Sequence, residues 1–570
     1  MNMLLRTILR IDGAEEAANR LVVRLGMGIA LLAIAVRFFF WAYTGRLWED
    51  ALITTLHSEN LFSGLGLTHY RVGQAPLHGF TSPLSVLVPM IGDALRIGWG
   101  LHVIRFVGAC CGGLTVLYAL GFAIHPRVKL PAPLAVLLMG YLACEHSQIL
   151  WGMAGMETQM VVLVLLMSAY YAMAWKPVPL GISLALCMYA RPDFAFWTII
   201  VGLYVLVKDW RQFPKVAGIA LALYAPWLVA MTLYYGHPIP NTVFAKSGYT
   251  TWWKVPDMTL RDILVTVWSR VNGSYAGNTL TQPLGPTFPG HGTGFHAILN
   301  DRGIVAKIMT LAAVGGFLRI LWGRKWFFLP IPLFLLAYGA YYLFFVPVVF
   351  GWYVVPYVAV VILLSVEGLS GVGRLIPWPR IRNAALALFT LVYLGILVGV
   401  LPITFYGEHR IQRDIEMSVR RQVGLFLNQV MANDDTLGCE CLGYFGYYSR
   451  RTVYDWPGLA NREVVAYSRT HPNGHNLNDM LRYFKPDFLA LRERNGVLIE
   501  VHGDWVLKDY EILAHFYQPW AVIEDIPLIE QNIDTSFMVL RRRDYAERHP
   551  GTGAGIVPAQ GAAGTPANSY

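Results

Sequence analysis

Apolar runs of about twenty residues, the length that crosses the hydrocarbon core of a bilayer, recur along the first 400 positions of this chain. Each run is bounded by charges or by Pro/Gly turns, and none alternates polar and apolar residues as a membrane barrel strand does. Backbone groups in hydrocarbon must bond internally, so the runs predict transmembrane helices. Of the 570 residues 55% are hydrophobic and only 14% are charged, too few charges to cover a soluble surface.

The positions of Lys and Arg predict the orientation. With the N-terminus inside and about eleven spans, the short inner loops carry the basic clusters, as the positive-inside rule requires. Counting the apolar stretch 83–97 as a span would invert every later loop, so we expect a juxtamembrane or re-entrant helix there. The net charge of +9 then reflects orientation and predicts no nucleic-acid partner. The predicted spans lie near 21–43, 101–124, 131–150, 158–175, 178–190, 194–208, 216–235, 303–321, 326–347, 350–368 and 383–404.

The pattern changes beyond the last span. Residues 405–545 mix Gly/Tyr-rich turns and scattered charges with short strand-like and helical stretches, which predicts a soluble extracytoplasmic α/β domain. The segment 546–570 is rich in Gly, Ala, Pro and Thr, and we expect it to be disordered. The predicted fold is therefore mainly α, a polytopic membrane helical bundle with outer loops 44–100 and 236–302 inside residues 1–404, followed by this C-terminal domain.

Two adjacent carboxylates, Glu49 and Asp50, follow the first predicted span. The lowered dielectric at a membrane surface raises the pKa of a carboxylate toward that of a useful general base. A sugar hydroxyl is a poor nucleophile, so glycosyl transfer by direct displacement needs such a base. An acidic pair taken alone is more often a solvated surface feature.

Further motifs accompany this pair in a fixed order, and together they resemble bacterial GT-C glycosyltransferases. The resemblance is strongest to the branch that contains the terminal β-arabinofuranosyltransferase of mycobacterial cell walls, and it covers about residues 40–495. That family usually begins the acidic pair with Asp, whereas Glu49 stands first here, which leaves open whether Glu49 or Asp50 is the base. The motifs are Gly79-Phe80-Thr81-Ser82-Pro83-Leu84, Gly155-Met156-Glu157-Thr158, Ala190-Arg191-Pro192-Asp193, Tyr235-Gly236-His237-Pro238-Ile239-Pro240-Asn241-Thr242 with Ala245-Lys246, Gly446-Tyr447-Tyr448-Ser449 and Asp455-Trp456-Pro457-Gly458-Leu459.

The resemblance implies a polyprenyl-phosphate sugar donor, an extracytoplasmic glycan, glycolipid or protein acceptor, and inverting single displacement. It also implies multi-pass insertion in a bacterial inner membrane, with the active site outside the cytoplasm. Arg191 and Lys246 would stabilise the leaving phosphate; pairing of Arg191 with Asp193 and snorkelling of Lys246 at the interface are the alternatives. The remaining predicted substrate-binding residues are Glu157, which could equally cap a helix, Asn241, His237, which also suits loop hydrogen bonding, and Tyr70, for which an aromatic belt is the alternative.

The sequence predicts no metal site. His57, His69 and His78 are separated by 12 and 9 residues, spacings that fit no helical ligand pair. Cys439 and Cys441 form a C-x-C pattern that matches no four-ligand zinc site. We expect no cofactor, and the dependence on a divalent cation is left open.

Two other classes of function are compatible with a polytopic chain. A secondary transporter or lipid-sugar flippase often shows internal repeats and charged, broken helices at the bilayer midplane. This chain shows no repeat, and its distinctive polar residues are predicted to lie at one face. A non-catalytic scaffold of the cell envelope would tolerate the loss of both Glu49 and Asp50, whereas an enzyme would not.

Overall fold

The computed structural model describes residues 16–69, 75–246, 259–272, 284, 304–345, 350–471, 476–501, 503–527 and 534–549. Tyr70 and residues 550–570 of the predicted disordered segment 546–570 lie outside these described residues, whereas Tyr545–Arg548, where that segment begins, form a short helix. The chain divides into two compact units. The first unit lies within Met1–Tyr43, Ile104–Trp227 and Thr250–Phe405, and the second unit lies within Thr44–Val103, Leu228–Tyr249 and Tyr406–Tyr570.

Helices make up most of the chain up to residue 430, as the apolar periodicity predicts. Short 3-10 turns at Pro192–Phe194 and Trp326–Phe328 precede two of them. The helices are α1 (Glu16–Thr44), α2 (Glu49–Phe62), α3 (Leu84–Leu95), α4 (Gly100–Ile124), α5 (Ala132–Cys144), α6 (His146–Met153), α7 (Thr158–Ala174), α8 (Pro177–Ala190), α9 (Ala195–Lys208), α10 (Phe213–Tyr235), α11 (Asn241–Lys246), α12 (Leu260–Asn272), α13 (Ile304–Trp322), α14 (Pro330–Phe344), α15 (Gly351–Gly373) and α16 (Pro379–Arg410), followed by a π-helix (Ile411–Arg420) and α17 (Arg421–Val430).

Eight helical segments in the described ranges are long and apolar enough to cross a membrane, and the chain is an integral membrane protein. They are α1, α4, α5 with α6, α10, α13, the turn Trp326–Phe328 with α14, α15 and the segment that begins with α16. Each lies where the sequence predicts a span. The three other predicted spans are the shorter helices α7, α8 and α9, with 17, 14 and 14 residues. A 14-residue helix rises about 21 Å, less than the roughly 30 Å of hydrocarbon, so the count of eleven stays a prediction.

The stretch 83–97, expected to be a short surface or re-entrant helix, forms α3 with 12 residues. Asp93 fixes the turn that follows it, because its carboxylate accepts hydrogen bonds from the backbone N–H groups of Gly98 and Gly100, both at 2.9 Å. The same carboxylate accepts a hydrogen bond of 2.6 Å from the Ser58 hydroxyl on α2. A helix this short rises about 18 Å, which does not cross a bilayer.

A break in the span Ala132–Met153 divides it into α5 and α6. Glu145 stands at the break and caps α6, accepting hydrogen bonds from the backbone N–H groups of Ser147 at 2.9 Å and Gln148 at 2.8 Å. The Arg37 guanidinium of α1 binds the carbonyls released where α5 ends, at 3.1 Å from both Leu142 and Ala143. The side chains of Glu145 and Arg37 thus hydrogen-bond the backbone groups that are left unpaired at this break. Such pairing is needed because unpaired backbone groups are unfavourable in hydrocarbon.

The C-terminal part of the second unit is an α/β domain, as the sequence predicts. Its six-stranded sheet has the order β2-β1-β3-β6-β5, with β4 beside β3. Strand β1 pairs parallel with β2 and β3, whereas β3 with β6 and β5 with β6 are antiparallel. The elements are β1 (Thr436–Cys439), α18 (Leu442–Ser449), β2 (Thr452–Asp455), α19 (Arg462–Thr470), α20 (Leu477–Phe484), β3 (Phe488–Arg494), β4 (Val497–Leu498), α21 (Trp505–Asp509), β5 (Tyr510–Tyr517), α22 (Trp520–Ile523), β6 (Ser536–Arg542) and α23 (Tyr545–Arg548).

The core of this domain forms where α19 and α20 cover one face of the sheet. Val464 from α19 and Met480 and Leu481 from α20 are fully buried against Leu489 and Leu540 of the central strands. The alternation of strand residues turns the other side chains away from these helices. The domain therefore has a hydrophobic core of its own.

Candidate active site

The acidic pair opens α2, where Glu49 and Asp50 are the first two residues of the helix. Carboxylates are favoured at a helix N-terminus because unpaired N–H groups and the helix dipole make that end positive. The Glu49 carboxylate also pairs with Arg420, at 3.1 Å between Oε2 and Nη1, and its side chain is 24% exposed. The pair is thus fixed by the fold and is not a freely solvated surface feature.

Burial raises the pKa of Glu49 to about 7. The Arg420 guanidinium opposes this shift, while the negative charges of Asp50, Glu416 and Asp534 add to it. A carboxylate of ordinary pKa is too weak a base to take a proton efficiently near neutral pH. The surroundings of Glu49 therefore create the property that a general base requires.

The G-Y-Y-S motif lies on α18 and packs against α2. The Tyr447 hydroxyl donates a hydrogen bond of 2.5 Å to the Glu59 carboxylate, which also pairs with Arg450. A Cβ atom at Gly443 would overlap the Glu49 carbonyl, and one at Gly446 would lie 2.8 Å from the His69 ring. Glycine at position 443 therefore permits the close approach of α18 to the start of α2, and glycine at position 446 permits its approach to His69.

The Asn241 segment joins two other motifs in the second unit. The Asn241 side-chain amide donates hydrogen bonds to the carbonyls of Gly458 at 2.6 Å and Leu459 at 3.2 Å. The Thr242 hydroxyl lies 2.8 Å from that of Thr81 in the G-F-T-S-P-L motif. Four sequence motifs together with the acidic pair thus belong to one compact unit, and Asn241 is a structural connection between two of them.

His237 and Lys246 lie on either side of Asn241. The His237 ring packs 6.0 Å from that of Phe244. Lys246 is the last residue of α11 and is exposed. Its position at a helix C-terminus is electrostatically favourable for a cation.

The loop histidines are buried. The His57 Nδ1–H donates a hydrogen bond of 2.8 Å to the Ile53 carbonyl, and the His78 ring stacks on Tyr235 at 4.8 Å between centroids. Burial lowers the pKa of His57 to about 4 and that of His78 to about 3, so both rings are neutral at physiological pH. Within the part of the chain that the structure describes, no three His, Cys, Asp or Glu side chains are arranged to hold a metal ion.

Arg191 and Glu157 belong to the first unit. The Arg191 guanidinium binds Asp193 through Nε at 3.0 Å and Nη2 at 2.8 Å, and Nη2 also donates to the Tyr342 hydroxyl at 3.0 Å. The pairing with Asp193 that the sequence offers as an alternative is therefore present. Nη1 makes no hydrogen bond to any described residue, and the guanidinium carbon lies 4.6 Å from the centroid of the Tyr353 ring. Glu157 occupies the N-cap position of α7 without a capping hydrogen bond from its side chain.

Sequence reasoning missed the partners of the acidic pair. Arg420, Glu416 and Asp534 lie more than 360 positions after Glu49 and are close to it only because the chain folds back. The one available signal is the spacing of polar residues at 408, 412, 416 and 420, immediately after the last apolar run. A single sequence does not show which segment such a row faces.

Comparison with known protein families finds a match in the C-terminal part of the chain. Residues 407–540 match a family described as a domain of unknown function, DUF8728. The sequence matches no curated protein.

Several solved structures are similar over most of the chain. ArnT from Cupriavidus metallidurans bound to undecaprenyl phosphate has 13% identity and a TM-score of 0.47, covering 94% of this chain and 99% of its own. The apo state of the same protein has 12% identity and a TM-score of 0.49, covering 90% and 97%. The oligosaccharyltransferase AglB from Archaeoglobus fulgidus, in complex with an inhibitory peptide and a dolichol-phosphate, has 13% identity and a TM-score of 0.47, covering 82% and 69%. At these scores the likenesses carry no argument about activity.

Proposed function

We propose that this chain is a membrane glycosyltransferase of the GT-C type, which moves a sugar from a polyprenyl-phosphate donor to a glycan, glycolipid or protein acceptor. The observation that carries the proposal is Glu49, a largely buried carboxylate with a pKa of about 7 that follows the first membrane helix directly. A base with this pKa is half deprotonated at neutral pH, where it is both available and basic enough to accept a proton. Arabinofuranose is the donor sugar that the sequence resemblance favours.

The proposed reaction is a single displacement. The carboxylate of Glu49, or of Asp50 beside it, accepts the proton of the acceptor hydroxyl while the hydroxyl oxygen bonds to the anomeric carbon. The bond between that carbon and the donor phosphate oxygen breaks, and its electron pair leaves with the polyprenyl phosphate. Attack on the face opposite the leaving group inverts the configuration of the sugar.

The leaving phosphate gains negative charge as its bond to the sugar breaks. We therefore propose that cationic side chains stabilise this charge. Asp193 and Tyr342 hold the guanidinium of Arg191 and leave its Nη1 edge for a phosphate oxygen. Lys246 supplies a second positive charge. Tyr70, Glu157 and His237 are proposed to contact substrate, and Asn241 to hold the helix α11, which ends at Lys246.

The proposal places the protein in a bacterial inner membrane, with the acidic pair and the C-terminal domain outside the cytoplasm. The basic loops that follow the positive-inside rule support this orientation. In this proposal the polyprenyl-phosphate donor and the acceptor meet on that side. No cofactor takes part in the steps above.

The test is transfer by purified wild type, Glu49→Gln and Asp50→Asn, with Glu524→Gln as a matched control at an exposed acidic position. Undecaprenyl phosphate and dolichol phosphate carrying a panel of radiolabelled sugars serve as donors, and envelope extracts serve as acceptors. We expect wild type and control to transfer one sugar and Glu49→Gln to lose at least about a hundredfold in rate, the range of general-base effects. If wild type transfers no sugar from any carrier, the transporter and scaffold hypotheses take precedence.

A further inference from the structure

A row of side chains with a four-residue spacing lies beside the acidic pair. It consists of Glu408 at the end of α16, Gln412, Glu416 and Arg420, and is called the 408–420 row below. The last three residues lie on the π-helix Ile411–Arg420. A π-helix has a hydrogen-bond step of five residues, which brings side chains four apart almost into line, and such segments are rare and often occur at functional sites.

The row contacts the segment before Glu49 residue by residue. Glu408 accepts a hydrogen bond of 2.7 Å from Nε of Arg46. Gln412 accepts one of 3.0 Å from the backbone N–H of Leu47, and Glu416 pairs with Nη1 of Arg46 at 3.2 Å. Arg46 is 4% exposed, so these charges are held in a largely water-excluded position.

Arg420 completes the row at Glu49 itself. Its Nη1 lies 3.1 Å from Glu49 and 3.4 Å from Glu416, and its Nη2 lies 3.2 Å from Asp534. One guanidinium thus balances three carboxylates. Asp534 in turn lies 3.3 Å from Arg492 on β3, which anchors the arrangement to the sheet of the C-terminal domain.

We propose that Arg420 is a positioning residue that orients Glu49 and keeps it available as the base, and that the 408–420 row is the device by which the C-terminal domain completes the active site. This inference rests on the proposed function and goes beyond it, since it assigns the base to Glu49 and gives the segment that opens the DUF8728 match a role. Without Arg420 the ion pair at Glu49 is lost, and the negative charges of Asp50, Glu416 and Asp534 raise the pKa of Glu49 with less opposition. Arg46 still pairs with Glu416, and Arg492 still pairs with Asp534.

The effect on catalysis has a definite sign. Glu49 must be deprotonated to accept the proton of the acceptor, so kcat/KM rises with pH through the pKa of this carboxyl group. Arg420 lowers that pKa, and its removal raises it. The ascending limb of the pH–rate profile therefore moves to higher pH when the positive charge is lost.

The experiment compares pH–rate profiles of full-length wild type, Arg420→Gln and Arg420→Lys. Arg413→Gln is the matched control, because Arg413 lies on the same π-helix with a side chain that is 60% exposed. For Arg420→Gln we expect the limb to move up by about one pH unit, so that transfer falls roughly tenfold at about pH 6 and largely recovers by about pH 9. In Arg420→Lys the ascending limb should return most of the way to its wild-type position. Arg413→Gln should have the same pH–rate profile as wild type.

A loss of activity that is equal at every pH, or an unchanged limb, overturns the positioning role while leaving the transferase proposal intact. If wild type transfers nothing, a second measurement still decides the inference. Infrared pH titration of the Glu49 carboxyl band, identified by its absence in Glu49→Gln, must show a higher pKa in Arg420→Gln than in wild type. An equal pKa in the two proteins refutes it.

Discussion

Burial shifts the pKa values of acids and of histidines in the second unit in opposite directions. The pKa rises to about 7 for Glu49 and to about 6 for Asp455, whereas it falls to about 4 for His57 and to about 3 for His78. The cause is the same in all four groups, because removal from water penalises whichever form is charged. At neutral pH the result is a neutral histidine pair and an acid close to its midpoint.

His78 makes the folded state sensitive to acid. Its folded pKa lies below the ordinary value of 6.5, so the unfolded chain binds more protons than the folded chain between these pH values. The free energy of unfolding is therefore lost as pH falls below 6.5, by at most about 1.4 kcal/mol per pH unit for this group. We expect His78→Phe, which preserves a ring for stacking on Tyr235, to flatten the fall in Tm between about pH 7 and pH 5.

The measurement is a thermal melt of detergent-purified wild type and variant across that range. His471→Phe is the control, because this histidine also stacks on a tyrosine but is exposed. A pH dependence of Tm that is the same for His78→Phe and wild type would contradict the assignment of a neutral, buried His78.

At the scale of elements, polar side chains hydrogen-bond the backbone groups that lose their helical partners where the helices of the first unit are interrupted. Arg37 is fully buried and donates to Gln159, to Ala33 and to the two last-turn carbonyls of α5. It thereby links α1, the end of α5 and the start of α7. Without a guanidinium at this position, the carbonyls of Leu142 and Ala143 lose their donors in apolar surroundings.

We therefore expect Arg37→Leu to destabilise the protein by a few kcal/mol, since hydrogen bonds to charged groups contribute about 1.5–3 kcal/mol each and buried carbonyls are left unpaired. The test is the Tm of fluorescently tagged protein in detergent, with Arg24→Leu on the exposed side of the same helix as control. Because Gln159 belongs to the same network, Arg37→Leu/Gln159→Leu should lose less than the sum of the two single variants. A Tm for Arg37→Leu equal to that of the control refutes this role.

The positions of the elements were predictable, and their contacts were only partly so. Apolar runs locate the helical segments between residues 100 and 235, with α5 and α6 predicted as one span, because hydrophobic runs of that length have few other solutions in a bilayer. The motifs identified Glu49 and Asp50 as a candidate site. Arg420 could not be assigned to Glu49 in this way, since the polar spacing at 408, 412, 416 and 420 does not show which segment these residues contact. The helix break at Glu145 could not be predicted either. In the sequence, an acid that caps a helix within an apolar run cannot be distinguished from an isolated charge.

At the scale of the whole molecule, the number of spans fixes which side the C-terminal domain occupies. Eight crossings would return the chain to the side of its N-terminus, whereas eleven place residues 405–545 on the opposite side. The difference depends on α7, α8 and α9, which have 17, 14 and 14 residues. Helices of this length cross only where the bilayer thins or where flanking turns extend them, as Pro192–Phe194 does before α9. An odd number of these three helices must cross if the basic loops are to lie inside.

Single cysteines in a background from which the six native cysteines have been removed test this parity. Lys246→Cys and Arg494→Cys, both at exposed positions, should react with a membrane-impermeant maleimide in intact cells, whereas Arg127→Cys should react only after permeabilisation. The contrast follows because the positive-inside rule holds Arg127 in the cytoplasm, while an odd number of crossings places the other two outside. Labelling of Arg127→Cys together with Arg494→Cys in intact cells would contradict the orientation, and it would remove Glu49 from the side on which the proposed acceptors occur.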